Sequence, residues 1–201
     1  MEAISNVIRL RHGFFDWRNS LSIPAKIAML LAIAGLTGLL AQVRIPLPFT
    51  PVPITGQVLA VLMAGIMLGR WWGGASMAAY AGLGIAGVPW FAGMASGLGA
   101  TGGYIIGFIP AALFLGHFVD KYVKARRLLP MIGLMLVATL LYYIPGVTWL
   151  GIWLNTMGAG QIGMSGILTL GVAPFILGDI IKAVVAGLIA LAIVPKENHS
   201  R

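Results

Sequence analysis

The fold class this sequence predicts is an all-α integral membrane protein, a bundle of six transmembrane helices. Three observations predict it. Of the 201 residues, 59% are hydrophobic and 9% charged, whereas a soluble domain carries about a quarter charged residues. Mean hydropathy is +0.96. Apolar runs recur at close to the length a spanning helix needs, and Lys and Arg gather at their ends.

The length suits one domain. Residues 1–23 read as a cytoplasmic or interfacial N-terminal segment, 24–195 as the six-helix transmembrane domain and 196–201 as a cytoplasmic tail. Phe14, Phe15 and Trp17 beside Arg9, Arg11 and Arg18 fit an interfacial segment; a frayed end fits equally. A short apolar core followed by a small-residue cleavage site is missing there, so a cleaved signal is not expected.

The first span is expected over 24–43, with Ser22 as N-cap and Pro24 in the first turn. The second and third, 55–70 and 73–88, are short and joined by a turn at Arg70–Gly73. The fourth covers 102–119 and the fifth 129–150. The sixth covers 173–194, with Pro174 in its first turn and Pro195 closing it. A cytoplasmic N-terminus would put Arg9, Arg11, Arg18, Lys26, Arg70, Lys121, Lys124, Arg126, Arg127, Lys196 and Arg201 inside, leaving Arg44 outside and Lys182 within a span. The positive-inside rule favours that orientation. It makes 44–54, 89–101 and 151–172 the outer segments, which either fold over the bundle or remain flexible. Small-xxx-small spacing at Ala28–Ala32 and Gly103–Gly107 suits close helix contacts in lipid.

Several function classes are excluded or disfavoured. The chain has no cysteine, which removes disulfides and thiolate metal sites. His12, His117 and His199 are dispersed, so neither a metal site nor a Ser-His-Asp arrangement is expected. GLGIAG at 82–87 and GLGATG at 97–102 match the dinucleotide fingerprint, but neither sits between a strand and a helix of a βαβ unit. No P-loop motif is present. The net charge of +8 is explained by headgroup-level cations, without the basic stripe that nucleic acid needs. No enzyme, cofactor or metal is expected.

Two features ask for a function. PFILGDIIKAVVAG places Asp179 and Lys182 three residues apart on one helical face. Each costs about 2.5–3.5 kcal/mol at the centre of a membrane helix, and Asp179 should lie roughly 9 Å below the outer surface at 1.5 Å per residue. The pair either neutralises itself to fix packing or marks a ligand site. A proton relay would need another acid along the path, and Asp120 lies at the far end. The second feature is RIPLPFTPVPITGQ, 44–57, with prolines at 46, 48, 51 and 53. Proline removes N–H donors where water is scarce and favours extended chain. The segment should be stiff and able to fold inward, carrying Thr50, Thr55 and Gln57, with Arg44 at its root.

With these residues in view, PLPFTPVPITGQVLAVLMAGIMLG, GLGIAGVPWFAG, TGGYIIGFIPA and PFILGDIIKA resemble the BioY family, the biotin-binding S components of energy-coupling factor (ECF) transporters. The resemblance spans about 24–195. Ala100 departs from a proline common before TGGY, and 151–172 matches loosely. The resemblance implies a six-helix S component that captures biotin outside. It also implies partners: a transmembrane coupling protein, met through Ala28 and Ala32, and two cytoplasmic ATPase subunits. Asp179 would then accept from the ureido N–H groups and Lys182 would donate to the ureido carbonyl. Phe49, Trp90, Phe91, Tyr104 and Phe175 are candidates to pack the bicyclic ring. Arg44, with Thr50, Thr55 or Gln57, is the candidate carboxylate receiver. The rivals are an S component for another vitamin, a membrane enzyme and a scaffold.

Overall fold

A computed structural model describes residues 16–18, 20–157 and 162–195. The tail 196–201 and most of the N-terminal segment therefore lie outside the described residues.

Helix α1 spans Ile23–Gln42, with Ser22 in the extended N-cap conformation and Pro24 in the first turn. It buries Leu30, Ile33, Ala34, Thr37, Gly38 and Ala41, a stripe at helical spacing, and turns Ile27, Leu31, Leu36 and Leu39 outward. Outward apolar side chains of this kind suit lipid rather than water. The helix stops where the prolines begin.

The proline-rich segment is extended, as expected, but it also pairs with itself. Strands β1 (Arg44–Leu47) and β2 (Thr50–Thr55) form an antiparallel hairpin in the register Arg44↔Thr55, Ile45↔Ile54 and Leu47↔Thr50. Pro46 falls at the register shift between Ile45 and Leu47, where a missing N–H does least harm. The bundle is thus all-α except for this hairpin at one end. Gly56 N donates to both Leu40 O and Val43 O, tying the hairpin back onto α1.

Helix α2, Gln57–Ile85, is continuous in residue assignment but is not straight. Gly69 interrupts it with φ 77° and ψ −175°. A straight helix would hold Gln57 and Tyr80 about 35 Å apart at 1.5 Å per residue, yet Gln57 Nε2 donates to Tyr80 Oη at 2.6 Å. The chain therefore doubles back, and 57–68 and 70–85 lie side by side. The expected turn at Arg70–Gly73 falls instead at Gly69, because a positive φ is open to glycine and strained for other residues. Asp120 fixes the reversal: its Oδ2 accepts the Arg70 backbone N–H at 3.0 Å, and a Cβ at position 69 would strike that carboxylate.

Helix α3 (Gly102–Lys121) packs on the doubled α2, a short 3-10 turn (Val123–Arg126) follows, and α4 runs Leu128–Thr156. Glycine permits these contacts. A Cβ at Gly65 would lie 2.8 Å from Ala112 O, and one at Gly107 would lie 2.6 Å from Tyr142 Cα. Gly103 presses similarly on Pro145 and Trp149. Helix α4 is longer than expected and takes the first residues of the outer segment 151–172; a short helix α5, Met164–Gly171, fills its end. Helix α6, Ile176–Ile193, starts three residues later than expected. Its Ile176, Leu177, Ile180, Ile181, Val184, Val185 and Leu188 are exposed.

Among the described residues, five helices are long and apolar enough to cross a membrane: α1, α2, α3, α4 and α6. The protein is a multi-pass membrane bundle. Arg18 and Arg70 meet at Asp120, and Arg126 reaches Pro195 O, so these cations share one end of the bundle. The hairpin lies at the other.

Candidate ligand-binding site

At the hairpin end, a narrow cavity of about 50 Å³ opens between the hairpin and helices α2, α3, α4 and α6. That is room for about three to five waters at about one per 10–15 Å³.

Asp179 forms its floor and is 3% exposed. It lies in the first turn of α6, about 5 Å from the helix start at 1.5 Å per residue. A carboxylate there is favoured by the positive end of the helix dipole. Lys182 Nζ donates to Asp179 Oδ1 at 2.9 Å. The other oxygen, Oδ2, accepts from Tyr142 Oη at 2.5 Å and Tyr143 Oη at 2.6 Å. Three donors thus compensate one buried carboxylate, which the low dielectric requires.

Both tyrosines come from successive positions of α4 and line the cavity. The sequence reading missed them. In an apolar run two tyrosines read as packing, and nothing in the spacing ties them to a helix 36 residues away. The signal available was that their hydroxyls need partners when buried.

Aromatic faces complete the wall. Tyr104 stands edge-on to Tyr143 at 6.3 Å, and Phe108 stands edge-on to Tyr142 at 5.5 Å. Tyr104 Oη donates to Gly171 O at 2.8 Å, coupling α3 to the end of α5. Phe175, the residue before α6, closes one side. Val52, Pro53 and Thr55 reach in from the hairpin, Gln57 and Val58 from the start of α2, and Thr101 from the turn before α3. Thr55 Oγ1 donates to Gln57 Oε1 at 2.9 Å, which leaves the Gln57 amide nitrogen for Tyr80.

Of the candidate residues, the structure brings Asp179, Lys182, Tyr104, Phe175, Thr55 and Gln57 together on this cavity. Five other candidates lie off this cavity. Phe49, at the hairpin tip, is 57% exposed. Thr50 is buried, its Oγ1 donating to Leu170 O at 2.9 Å to fasten the hairpin to α5. Trp90 lies tilted and Phe91 edge-on against Tyr80, and Trp90 Nε1 donates to Tyr80 O at 3.0 Å. They support the wall behind Gln57. Arg44 is exposed and lies over Gly93, where a Cβ would stand 2.5 Å from its Nη1. It faces Thr55 across the hairpin, so its position is beside the cavity rather than in it. Ala28 and Ala32 are both exposed on α1.

With the geometry established, comparison with known proteins decides the family. The model of the BioY family matches residues 16–198. This chain belongs to the BioY family. It is 52% identical over 143 residues to the "Probable biotin transporter BioY" of Methanothermobacter thermautotrophicus, covering 68% of this chain and 90% of that one. It is 37% identical over 169 residues to the protein of the same description from Pyrococcus horikoshii, covering 82% and 93%. A crystal structure described as the S-component for biotin from an ECF-type ABC transporter superposes with a TM-score of 0.72. It shares 24% identity and covers 86% of this chain and 93% of its own, and so shows the BioY chain to have an S-component fold.

Proposed function

We propose that this BioY chain is the biotin-binding S component of an ECF-type vitamin uptake transporter. The observation that carries the reading is the Asp179–Lys182 pair on the floor of an aromatic-lined cavity in a BioY protein. Biotin's ureido group offers two N–H donors and one carbonyl, and the pair offers an acceptor and a donor side by side. A ureido N–H donates to a remaining lone pair of an Asp179 oxygen, forming a charge-assisted bond. Lys182 donates to the ureido carbonyl while it stays on Asp179 Oδ1. Tyr104, Phe108 and Phe175 cover the bicyclic ring. The carboxylate tail extends past Thr55 and Gln57 towards Arg44. Phe49, Thr50, Trp90 and Phe91 act on the ligand only through the hairpin and the wall they brace.

Counting 57–68 and 70–85 as separate crossings gives six, with the hairpin, the cavity and Arg44 outside and both termini in the cytoplasm of the plasma membrane. The distribution of cations supports that orientation. Ala28 and Ala32, accessible on α1, form the contact with a transmembrane coupling protein, and two ATPase subunits on the cytoplasmic side supply the energy. Bulky replacement of both alanines should spare ligand binding and abolish ATP-driven uptake.

The test is titration of the purified full chain in detergent with biotin and a panel of other vitamins. Tight binding of biotin alone is expected. Preference for another vitamin would assign the cavity to that ligand, and no binding across the panel would refute the reading.

A further inference from the structure

Behind the hairpin side of the ligand cavity, a chain of hydrogen bonds runs from α1 to Thr55. Gln42 Nε2, at the end of α1, donates to Trp90 O at 3.3 Å and to Phe91 O at 3.1 Å, and its Oε1 accepts the Met94 backbone N–H at 3.1 Å. Tyr80 is fully buried in α2 and is not part of the cavity lining. Its Oη donates to the same Trp90 O at 3.3 Å. Gln57 Nε2 donates in turn to Tyr80 Oη at 2.6 Å, and Thr55 Oγ1 donates to Gln57 Oε1 at 2.9 Å. The direction of the chain is set at Trp90, because a backbone carbonyl can only accept. The Tyr80 proton is committed to it, so Oη meets Gln57 with a lone pair. Only the N–H end of the amide fits there. The Gln57 carbonyl is thereby turned to Thr55 and takes that hydroxyl's proton.

We propose that Tyr80 is a positioning residue for the ligand: by fixing the Gln57 amide, it makes this side of the cavity a hydrogen-bond donor to an acceptor on the ligand's tail. The role rests on the biotin-binding reading above, in which the tail passes Thr55 and Gln57. An amide nitrogen carries two N–H groups. Among the described residues, Gln57 Nε2 bonds Tyr80 alone, which leaves the second N–H. Gln57 lines the cavity and is 6% exposed, so that N–H is short of water as well as of a protein acceptor, and a buried donor left unpaired is costly. A ligand carboxylate supplies the acceptor. An unheld amide would be free to turn over and present its carbonyl, which repels a carboxylate. Tyr80 prevents that turn without touching the ligand. Its ring is held by Trp90 at 5.2 Å and Phe91 at 5.3 Å, and Trp90 Nε1 bonds back to Tyr80 O at 3.0 Å. Those two aromatics, off the cavity themselves, act on specificity through Tyr80.

Calorimetric titration of the purified full chain in detergent tests it, with biotin and with an analogue carrying a methyl group in place of the carboxylate. Tyr80→Phe keeps the ring contacts and the backbone bond to Trp90 and removes only the hydroxyl. It should weaken biotin roughly fivefold, the scale of one neutral hydrogen bond, and leave the analogue unchanged. Gln57→Met has a similar length and no N–H. In that background Tyr80→Phe should cost nothing further, since Tyr80 acts through the amide. Gln57→Met alone should reproduce the biotin-selective loss, which keeps the role testable should Tyr80→Phe lower the unfolding midpoint. Unchanged biotin affinity in Tyr80→Phe, equal losses for the two ligands, or a full fivefold loss in the Gln57→Met background would overturn the proposal. If the wild type binds no biotin, the proposed function falls and this role with it. If it binds biotin and the losses are not selective, the role falls alone.

Discussion

Among the described residues, two Asp–cation pairs share a 2.9 Å separation, and their surroundings differ. Asp120 pairs with Arg18 at the basic end, its side chain 33% exposed, and its second oxygen holds a backbone amide. Asp179 pairs with Lys182 inside the bundle, its side chain 4% exposed, and its second oxygen holds two tyrosine hydroxyls. The amide cannot leave without undoing the reversal at Gly69. The hydroxyls hold the carboxylate without fixing any reversal of the backbone. An ion pair in a membrane protein is therefore not in itself a ligand site. What sets the two apart is whether the carboxylate's second oxygen holds a backbone amide at a chain reversal or side-chain hydroxyls that line a cavity.

That contrast can be broken at either end. The largest effect is expected at the inner pair. Asp179→Asn and Lys182→Ala should each weaken biotin binding about 100-fold, the scale of a lost hydrogen bond to a charged group, with membrane insertion preserved. Calorimetric titration measures this, and wild-type affinity in both variants would make the inner pair as structural as the outer one. Next, Gly69→Ala should lower stability by about 2 kcal/mol through strain at a positive φ, with ligand affinity unchanged; thermal unfolding in detergent separates the two quantities. A smaller effect is expected for Tyr143→Phe, which should cost about 1 kcal/mol of stability and alter affinity less than Asp179→Asn, because Tyr142 still serves Oδ2. A change as large as that of Asp179→Asn would mean the hydroxyls touch the ligand. Smallest, Arg44→Ala should weaken biotin a few-fold and leave a ligand lacking the carboxylate unaffected, in parallel titrations. Equal losses would remove Arg44 from any role at the tail.

Much of this was legible in the sequence, for reasons that also explain the remainder. Spans were readable because apolar length is dictated by bilayer thickness. The inner pair was readable because a charge in hydrocarbon is costly enough to demand a reason. The prolines announced an extended segment, but not its pairing, since proline suppresses the very N–H groups that a ladder uses. The reversal was displaced by one residue because it depends on Asp120, fifty residues away. Phe49, Trp90 and Phe91 are candidates on residue type alone; which aromatics line the cavity is set by tertiary packing, here by Tyr80 for Trp90 and Phe91. Tyr142 and Tyr143 were missed for the same reason.

The cavity holds only a few waters as it stands, and Val52 and Pro53 on the hairpin are part of its wall. If a bicyclic guest enters past the hairpin, this wall must give way first. Capture should therefore become unimolecular at high vitamin concentration, its observed rate levelling off at the frequency with which strands 44–55 swing clear. Dissociation would be governed by the same gate, so slow release and tight retention would arise from one moving part.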